Sequence, residues 1–181
     1  MVLCFAAGGT IALLGSAGLR DQLGLGPEPS ESSSPSPSPT EPPPPGIGDP
    51  VRDTTVEFRV TEVSCGHRTV GEGVLTRRAR GQYCVASFEV RNVGSALAIL
   101  NVTDQHAVTA SGSRHRANPD ATAAANNLFF VLPLLLAPGD SATGKIVFDI
   151  PEDATLATLE LHDSERSEGA IITISPNGLA G

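Results

Sequence analysis

The sequence predicts an all-β sandwich as the folded part of the chain, and three observations support this prediction. From residue 51 onward, short segments of alternating apolar and polar residues recur between turn residues, and no long pattern with a 3.6-residue period occurs. Ten of the 15 prolines fall between Pro27 and Pro50. An 18-residue run without charged side chains, Val2 to Leu19, precedes them. We therefore predict an N-terminal apolar helix over residues 1–19, a disordered linker over residues 20–50 and a folded domain over residues 51–181.

The apolar run within residues 1–19 is interpreted as a signal-anchor or a cleaved signal peptide. As a helix it would be about 27 Å long, close to the roughly 30 Å hydrocarbon layer of a bilayer. The small residues Gly15-Ser16-Ala17 suit a cleavage site. No Lys or Arg precedes the run, although both kinds of segment normally carry one. Both interpretations predict an extracytoplasmic protein, either anchored in the plasma membrane by a single N-terminal helix or secreted.

The linker over residues 20–50 combines proline with serine and glutamate, as in Ser32-Ser33-Ser34-Pro35-Ser36-Pro37. Such a segment cannot bury enough apolar surface to offset the entropy that it would lose on ordering. We predict a disordered, partly polyproline-II stalk rich in Pro and Ser. A proline-rich recognition ligand is the alternative, but Pro42 to Pro45 lack the flanking basic residue that many such partners require.

The alternating segments predict the strands of the folded domain. They are Val56 to Thr61, Cys84 to Arg91, Lys145 to Ile150, Leu159 to His162 and Ala170 to Ile174. Leu97 to Thr109 supplies one or two further strands, and the chain turns at Ser111-Gly112. Seven or eight short strands in a domain of this length predict an immunoglobulin-like β-sandwich.

Two cysteines in the folded domain, Cys65 and Cys84, are candidates for a disulfide. Cys84 lies on the inward phase of its alternating segment, and Cys65 shares a face with Val63 after a phase change near Thr61-Glu62 that predicts a β-bulge. Both thiols are therefore expected to point into the core, where an oxidising compartment would join them. The alternative is a metal site formed by these cysteines and His67, which would need a fourth ligand and a reducing environment.

Several short motifs, taken in order, resemble a known family. They are Gly81 to Cys84, Val90 to Gly94, Pro138 to Asp140, Gly144 to Pro151 and Leu159 to Ser164. Together they resemble an actinobacterial family of exported, immunoglobulin-like (telokin-like) domains of unknown function, related to a secreted mycobacterial immunoprotective antigen. The resemblance covers roughly Val51 to Ile174 and implies a membrane anchor, a stalk and a β-sandwich outside the cell. It implies no known activity and hence no catalytic residues.

The sequence departs from that family's pattern in two places. His115 stands near a position that is often tyrosine in the family, and Leu128 to Leu136 is more apolar than the usual strand. A strand of a two-layer sandwich should alternate, because one face is buried and the other is solvated. Continuous apolarity therefore predicts that the outer face is also covered, by Ala121 to Ala125, by a second subunit or by a ligand. We take this segment as a candidate partner surface, formed by Leu128, Phe129, Phe130, Val131, Leu132, Leu134, Leu135 and Leu136.

Composition and motifs exclude several classes of function. The net charge of -8 argues against a nucleic-acid binder, which needs a basic face. No Gly-x-Ser-x-Gly motif occurs, and the adjacent residues of His162-Asp163-Ser164 cannot converge on one substrate atom, so we expect a solvated strand end there. The basic cluster Arg77-Arg78-Ala79-Arg80 is either a solvated loop or a contact for anionic wall polymers or lipid headgroups. We predict no enzyme activity, no catalytic residue, no cofactor and no metal.

The sequence therefore predicts a non-enzymatic binding or structural module, anchored in the cell envelope or secreted. Its partner is an unidentified protein or cell-wall component, and the sequence does not fix its oligomeric state. The alternative is a carrier of a small apolar ligand in a cavity between the two sheets near Leu128 to Leu136, which requires an apolar cavity of several hundred Å³.

Overall fold

A computed structural model describes residues 43–128, 133–175 and 179–180. The apolar run over residues 1–19 and most of the predicted linker lie outside the described residues. The described residues belong to one compact unit, which spans Glu41–Gly181. Ile47 packs against the core of this unit, and the backbone N–H of Thr173 donates to the carbonyl of Pro45 at 2.8 Å. No helix in the described ranges has the length and apolarity needed to cross a membrane.

The first sheet contains the longest strands of the domain. Its strands are β1 (Pro50–Asp53), β2 (Val56–Val70), β3 (Arg77–Asn92), β8 (Ser141–Ile150) and β11 (Leu179–Ala180). The order is β1-β2-β3-β8 with antiparallel neighbours, and β11 pairs in parallel with β2.

The second sheet contains β5 (His106–Thr109), β6 (Arg114–Arg116), β9 (Leu156–Leu161) and β10 (Ala170–Thr173). Its strand order is β10-β9-β5-β6. A separate two-stranded ribbon pairs β4 (Ala98–Leu100) with β7 (Leu134–Leu136). Two short 3-10 helices span Gly73–Leu75 and Val102–Asp104.

The predicted all-β sandwich is confirmed, and its core forms where the sequence alternates. The first sheet contributes Phe58 and Phe148, and the second contributes Leu159 and Ile172, all of them completely buried. Burying large apolar side chains from both sheets is the main force that holds the two layers together. Seven of the eleven strands in the described residues have four residues or fewer, so the period-two pattern is too short there to predict them.

The phase change predicted in β2 is also confirmed. The pairing of β2 with β3 shifts register between Val60 and Glu62, which leaves Thr61 as an extra residue. The shift allows Val60 and Val63, on either side of it, both to be fully buried. The strand therefore continues to face the core up to Cys65.

The α-helix α1 (Pro119–Ala125) covers the outer face of the first sheet. Asn118 caps it, because the side-chain Oδ1 accepts a hydrogen bond from the backbone N–H of Ala121 at 3.0 Å, and proline occupies the first turn. The helix packs the buried Ala121 and the partly buried Ala125 against Tyr83 and Val147. The first sheet is thus buried on both faces in this region.

Candidate functional site

The predicted disulfide between Cys65 and Cys84 is present. Cys84 is completely buried and Cys65 packs partly buried against the core. The alternative metal site with His67 is wrong, because the two sulfur atoms are bonded to each other and cannot serve as thiolate ligands. The Nε2 of His67 lies 2.8 Å from the hydroxyl of Ser64 instead.

Part of the candidate partner surface lies in the β4–β7 ribbon. Leu136 is 3% exposed and Leu134 is partly buried, whereas Leu135 between them is 58% exposed. Leu128, which follows α1 with a positive φ of 62°, is 50% exposed. The remaining members of the predicted surface lie outside the described residues: Phe129, Phe130, Val131 and Leu132.

The outward face of the ribbon is apolar and exposed. Ile99 of β4 lies directly opposite Leu135 of β7, and Leu97 lies two residues before Ile99. Ile99 and Leu97 are 50% and 54% exposed. Cross-strand partners lie on the same side of a ribbon, so Ile99 and Leu135 present one continuous aliphatic surface. We call Leu97, Ile99 and Leu135 the apolar ribbon face.

The apolar ribbon face corrects one expectation of the sequence analysis. We expected Ala121 to Ala125 as one possible cover for the outer face of the leucine-rich segment. These residues pack instead on the outer face of the first sheet, and Leu135 stays exposed in the single chain. The ribbon therefore obeys the rule that strands of a sandwich alternate in burial, although its exposed residues are apolar.

The buried Asn92 fixes the ribbon to the end of β3. Its side-chain Nδ2 donates to the carbonyl of Leu136 at 2.8 Å and to that of Ala96 at 2.7 Å, and its Oδ1 accepts from the N–H of Gly94 at 2.9 Å. Asn92 is 0% exposed, so these bonds satisfy an amide that would otherwise be costly to bury. The ribbon is held in a defined orientation.

Grooves at the surface do not provide the cavity that the alternative function, a carrier of an apolar ligand, requires. A groove of about 520 Å³ lies over β2, β3 and β8, and its lining includes Glu57, Arg59, Glu89 and Arg91. A larger groove of about 720 Å³ is also lined by charged residues, among them Arg80, Arg116 and Asp149. Charged walls of this kind do not suit an apolar ligand. Carriage of a ligand between the sheets stays a prediction without a supporting observation in the described residues.

A cluster of polar side chains, which the sequence analysis did not identify, lies on the second sheet. His106, Glu160 and His162 each offer one nitrogen or oxygen atom, and these atoms lie within 4.8 Å of one another. We call these three residues the histidine cluster. His106 is 9% exposed and His162 is 8% exposed. The expectation that His162 lies at a solvated strand end is wrong, because Gly169 packs directly against its ring.

Burial and a nearby charge affect the protonation of His106. Arg114 Nε donates to Glu160 Oε2 at 2.6 Å, and Arg114 Nη2 lies 3.3 Å from His162 Nε2. Burial, followed by the nearby charge of Arg114, lowers the pKa of His106. At neutral pH this imidazole is uncharged and retains one nitrogen with a free lone pair.

Comparison with known proteins places the domain in a family. No curated protein matches the sequence. The solved structures that resemble it include a secreted protein of Mycobacterium tuberculosis, MPT63, which has 16% identity and a TM-score of 0.51, with 74% of this chain and 98% of that chain covered. They also include the yjhA protein of Bacillus subtilis, which has 13% identity and a TM-score of 0.54. That match covers 72% of this chain and 99% of the yjhA chain. A conserved hypothetical protein of Bacillus anthracis has 14% identity and a TM-score of 0.52. That match covers 69% of this chain and 94% of the other.

At these identities the similarity supports the β-sandwich fold and nothing finer. The predicted resemblance to domains of unknown function and to a secreted mycobacterial protein is confirmed at this level, whereas its restriction to actinobacteria stays a prediction. The family described as Domain of unknown function (DUF4352) matches residues 45–171, which include nearly all of the sandwich. The chain therefore belongs to the DUF4352 family of domains of unknown function.

Proposed function

We propose that this domain is an extracytoplasmic, non-enzymatic binding module whose partner protein docks on the apolar ribbon face. The observation that carries the proposal is the cross-strand pair of Ile99 and Leu135, both at least half exposed on a ribbon that Asn92 anchors by hydrogen bonds. Exposed apolar residues that adjoin one another are typical of interaction surfaces, whereas single ones need no explanation.

The chemistry of the apolar ribbon face favours a protein partner over a cell-wall glycan. Its described residues are aliphatic, and they offer neither aromatic rings for stacking on sugars nor charged groups for an anionic polymer. Apolar protein surfaces recognise one another through such contacts, because association removes the apolar area from water. A ribbon held in one orientation loses little conformational entropy on binding, which favours affinity.

Two observations support an extracytoplasmic location. Disulfides persist in oxidising compartments, and Cys65 is bonded to Cys84. One of the structures similar to this domain is a secreted protein. The apolar run and the Pro/Ser-rich linker of the sequence support anchoring of the domain to the membrane as part of this proposal.

The local geometry around His162 supports a function without catalysis. Asp163, which follows it, accepts hydrogen bonds from both the N–H and the Oγ1 of Thr55 at 3.2 Å. Ser167 approaches the Nδ1 of His162 with its carbonyl oxygen at 3.2 Å and with its Oγ at 3.4 Å, and that Oγ donates to the carbonyl of Ser164 at 2.8 Å. These contacts support a role in fixing the loop after β9, because the hydroxyl of Ser167 donates to a backbone carbonyl, whereas a nucleophile would donate to its base.

The test is a comparison of two surface variants of the full chain. The double variant Ile99→Lys with Leu135→Lys charges the apolar ribbon face, and Ile171→Lys is the matched control, because Ile171 is also exposed (56%) but lies on the second sheet. The partner is captured by cross-linking at the surface of living cells, identified by mass spectrometry and then titrated in purified form against each variant.

We expect the double variant to keep the melting temperature and to lose the captured protein, while the Ile171 variant keeps both. Size-exclusion chromatography with light scattering shows whether the captured protein is a second copy of this chain. Equal capture by all variants contradicts the proposal. Unfolding of the double variant also contradicts it, because Ile99 and Leu135 would then be part of the core.

A further inference from the structure

The histidine cluster lies on one face of the second sheet because of strand register. His106 of β5 pairs directly with Glu160 of β9, so both side chains point to the same side of the sheet. His162 follows Glu160 by two residues, and side chains two apart in extended chain share a face. The backbone alone thus brings two imidazoles and one carboxylate together.

The hydrogen bonds of His162 determine which of its nitrogens is free. A guanidinium can only donate, so the Nε2 that faces Arg114 Nη2 at 3.3 Å accepts. The proton of the ring is then on Nδ1, which donates to the carbonyl of Ser167 at 3.2 Å. Metal-binding histidines characteristically donate their second N–H to a backbone carbonyl or carboxylate, which fixes the ring and leaves the other nitrogen for the metal.

His106 contains a buried polar atom that the protein does not satisfy. Its Nδ1 has no hydrogen-bond partner among the described residues, although the residue is only 9% exposed. Buried nitrogen atoms in native proteins usually have a partner, because an unpaired one retains its full desolvation cost. Together with the oriented His162, this unpaired nitrogen leaves the imidazole of His106 available to a ligand that the described side chains do not provide.

Arg114 already provides one positive charge to this cluster. Its guanidinium bonds to both Glu160 and His162, which shows that the site accepts a cation. The side chain of Arg114 is 50% exposed and extends from β6, which is the edge strand of the sheet. It can therefore turn out into solvent without disturbing the core.

We propose that His106, Glu160 and His162 bind a divalent transition-metal ion such as Zn²⁺, and that Arg114 takes the place of this ion in the metal-free protein. Two imidazoles and one carboxylate suit Zn²⁺ and similar ions, whereas Ca²⁺ and Mg²⁺ prefer oxygen ligands only. Three protein ligands leave a coordination position for water or for a ligand atom from a partner.

Binding requires a modest contraction of the site. Zinc bonds of about 2.0–2.2 Å place the donor atoms of a tetrahedral site roughly 3.4 Å apart. The three donor atoms now lie within 4.8 Å of one another, so side-chain rotation must close part of this distance after the guanidinium has left. We therefore expect the histidine cluster to bind zinc more weakly than a preformed site does. Both the contraction of the three side chains and the displacement of Arg114 cost free energy and oppose binding.

The experiment measures binding of ZnCl₂ to the purified full chain, freed of metal by a chelator, by isothermal titration calorimetry. Glu160→Gln keeps the shape of the side chain and removes its charge. It should weaken zinc binding by more than the roughly 10-fold loss seen when only a hydrogen-bonding partner of a metal ligand is removed, because Glu160 is a direct ligand. Arg114→Gln should strengthen binding, because it removes the competing cation. His67→Gln is the control, since His67 lies on β2 outside the histidine cluster, and it should bind zinc as the wild type does.

A second measurement uses the wild type alone and does not depend on how the variants fold. The ring nitrogens of all four histidines are followed by NMR during the zinc titration, and the resonances of His106 and His162 should shift whereas those of His67 and His115 should not. The proposal is overturned if the wild type binds no zinc, if Glu160→Gln binds as tightly as the wild type, or if the shifts are confined to His67 or His115. The cluster would then be a structural ion-pair network only.

Discussion

Removal of the Cys65–Cys84 disulfide tests how far the sandwich depends on a cross-link between its two longest strands. The bond joins β2 to β3 over a sequence separation of 19 residues. In the chain-entropy description, closing a loop of this size restricts the unfolded chain and stabilises the native state by about 3 kcal/mol at 25 °C. The double variant Cys65→Ala with Cys84→Ala should therefore lose roughly this amount of unfolding free energy.

A smaller packing contribution adds to the entropic one. Cys84 is completely buried, so its replacement by alanine also removes sulfur contacts within the core. The wild type under reducing conditions keeps both sulfur atoms and provides the matched control. The difference between oxidised and reduced wild type gives the effect of the cross-link alone, and the difference between reduced wild type and the double variant gives the packing contribution.

Equilibrium unfolding in urea, followed by circular dichroism, measures these differences. The chain has no Trp, and its single Tyr83 is buried, so tyrosine fluorescence provides a second signal from the core. For a domain of this size, a loss of about 3 kcal/mol should lower the melting temperature by roughly 10 °C. Equal midpoints for the oxidised and reduced wild type would refute the reasoning, because the denatured chain would then gain no freedom on reduction.

Two further predictions concern the surroundings of the histidine cluster. Gly169 and Gly112 have nearly the same positive φ (84° and 83°), but only a Cβ at Gly169 would meet the ring of His162, at 2.5 Å. Gly112→Ala should cost about 1–2 kcal/mol from backbone strain, and Gly169→Ala a further ~1–3 kcal/mol from the clash; equal losses in urea unfolding would contradict this. In metal-free buffer, burial and then the charge of Arg114 lower the pKa of His106 in the folded protein below 6.5, its value in the unfolded chain. Folding therefore favours the neutral ring, and this contribution to stability is fully present above pH 6.5. Stability should fall as the pH drops below 6.5 toward the lowered pKa, and His106→Gln should flatten this dependence; an unchanged slope would show that other groups cause it.

The sequence was informative wherever one side of a strand is buried over several residues. Val56, Phe58 and Val60 alternate with polar residues and are all completely buried. The alternation of buried and exposed residues also located the β-bulge in β2. Val63 faces the core after Val60 only if one residue between them is skipped. Short strands such as β6 carry too few residues to show a period, so their presence depends on tertiary pairing that sequence does not display.

The histidine cluster could be predicted only in part. Glu160 and His162 stand two residues apart in an alternating segment, which places both on the face opposite Leu159 and Leu161. That spacing alone was a sufficient signal for a shared face. The third member could not be found in this way, because pairing of His106 with Glu160 depends on the register between two strands that are distant in sequence.

The apolar pattern of Leu128 to Leu136 predicted only part of the surface that the structure shows, because it did not predict the residues of β4. Its continuous apolarity predicted that both faces of the strand are covered, and Leu136 satisfies this on the inward side. The outward Leu135 gains an apolar neighbour from β4, since Ile99 lies opposite it, but the pair remains exposed. The sequence gives no indication of this pairing, because Ile99 lies in a segment of its own and only the register joins the two. Burial of this face against a partner would contribute roughly 25 cal/mol to association per Å² of apolar area removed from water. The variants that charge Ile99 and Leu135 test the proposal that a partner protein covers this pair.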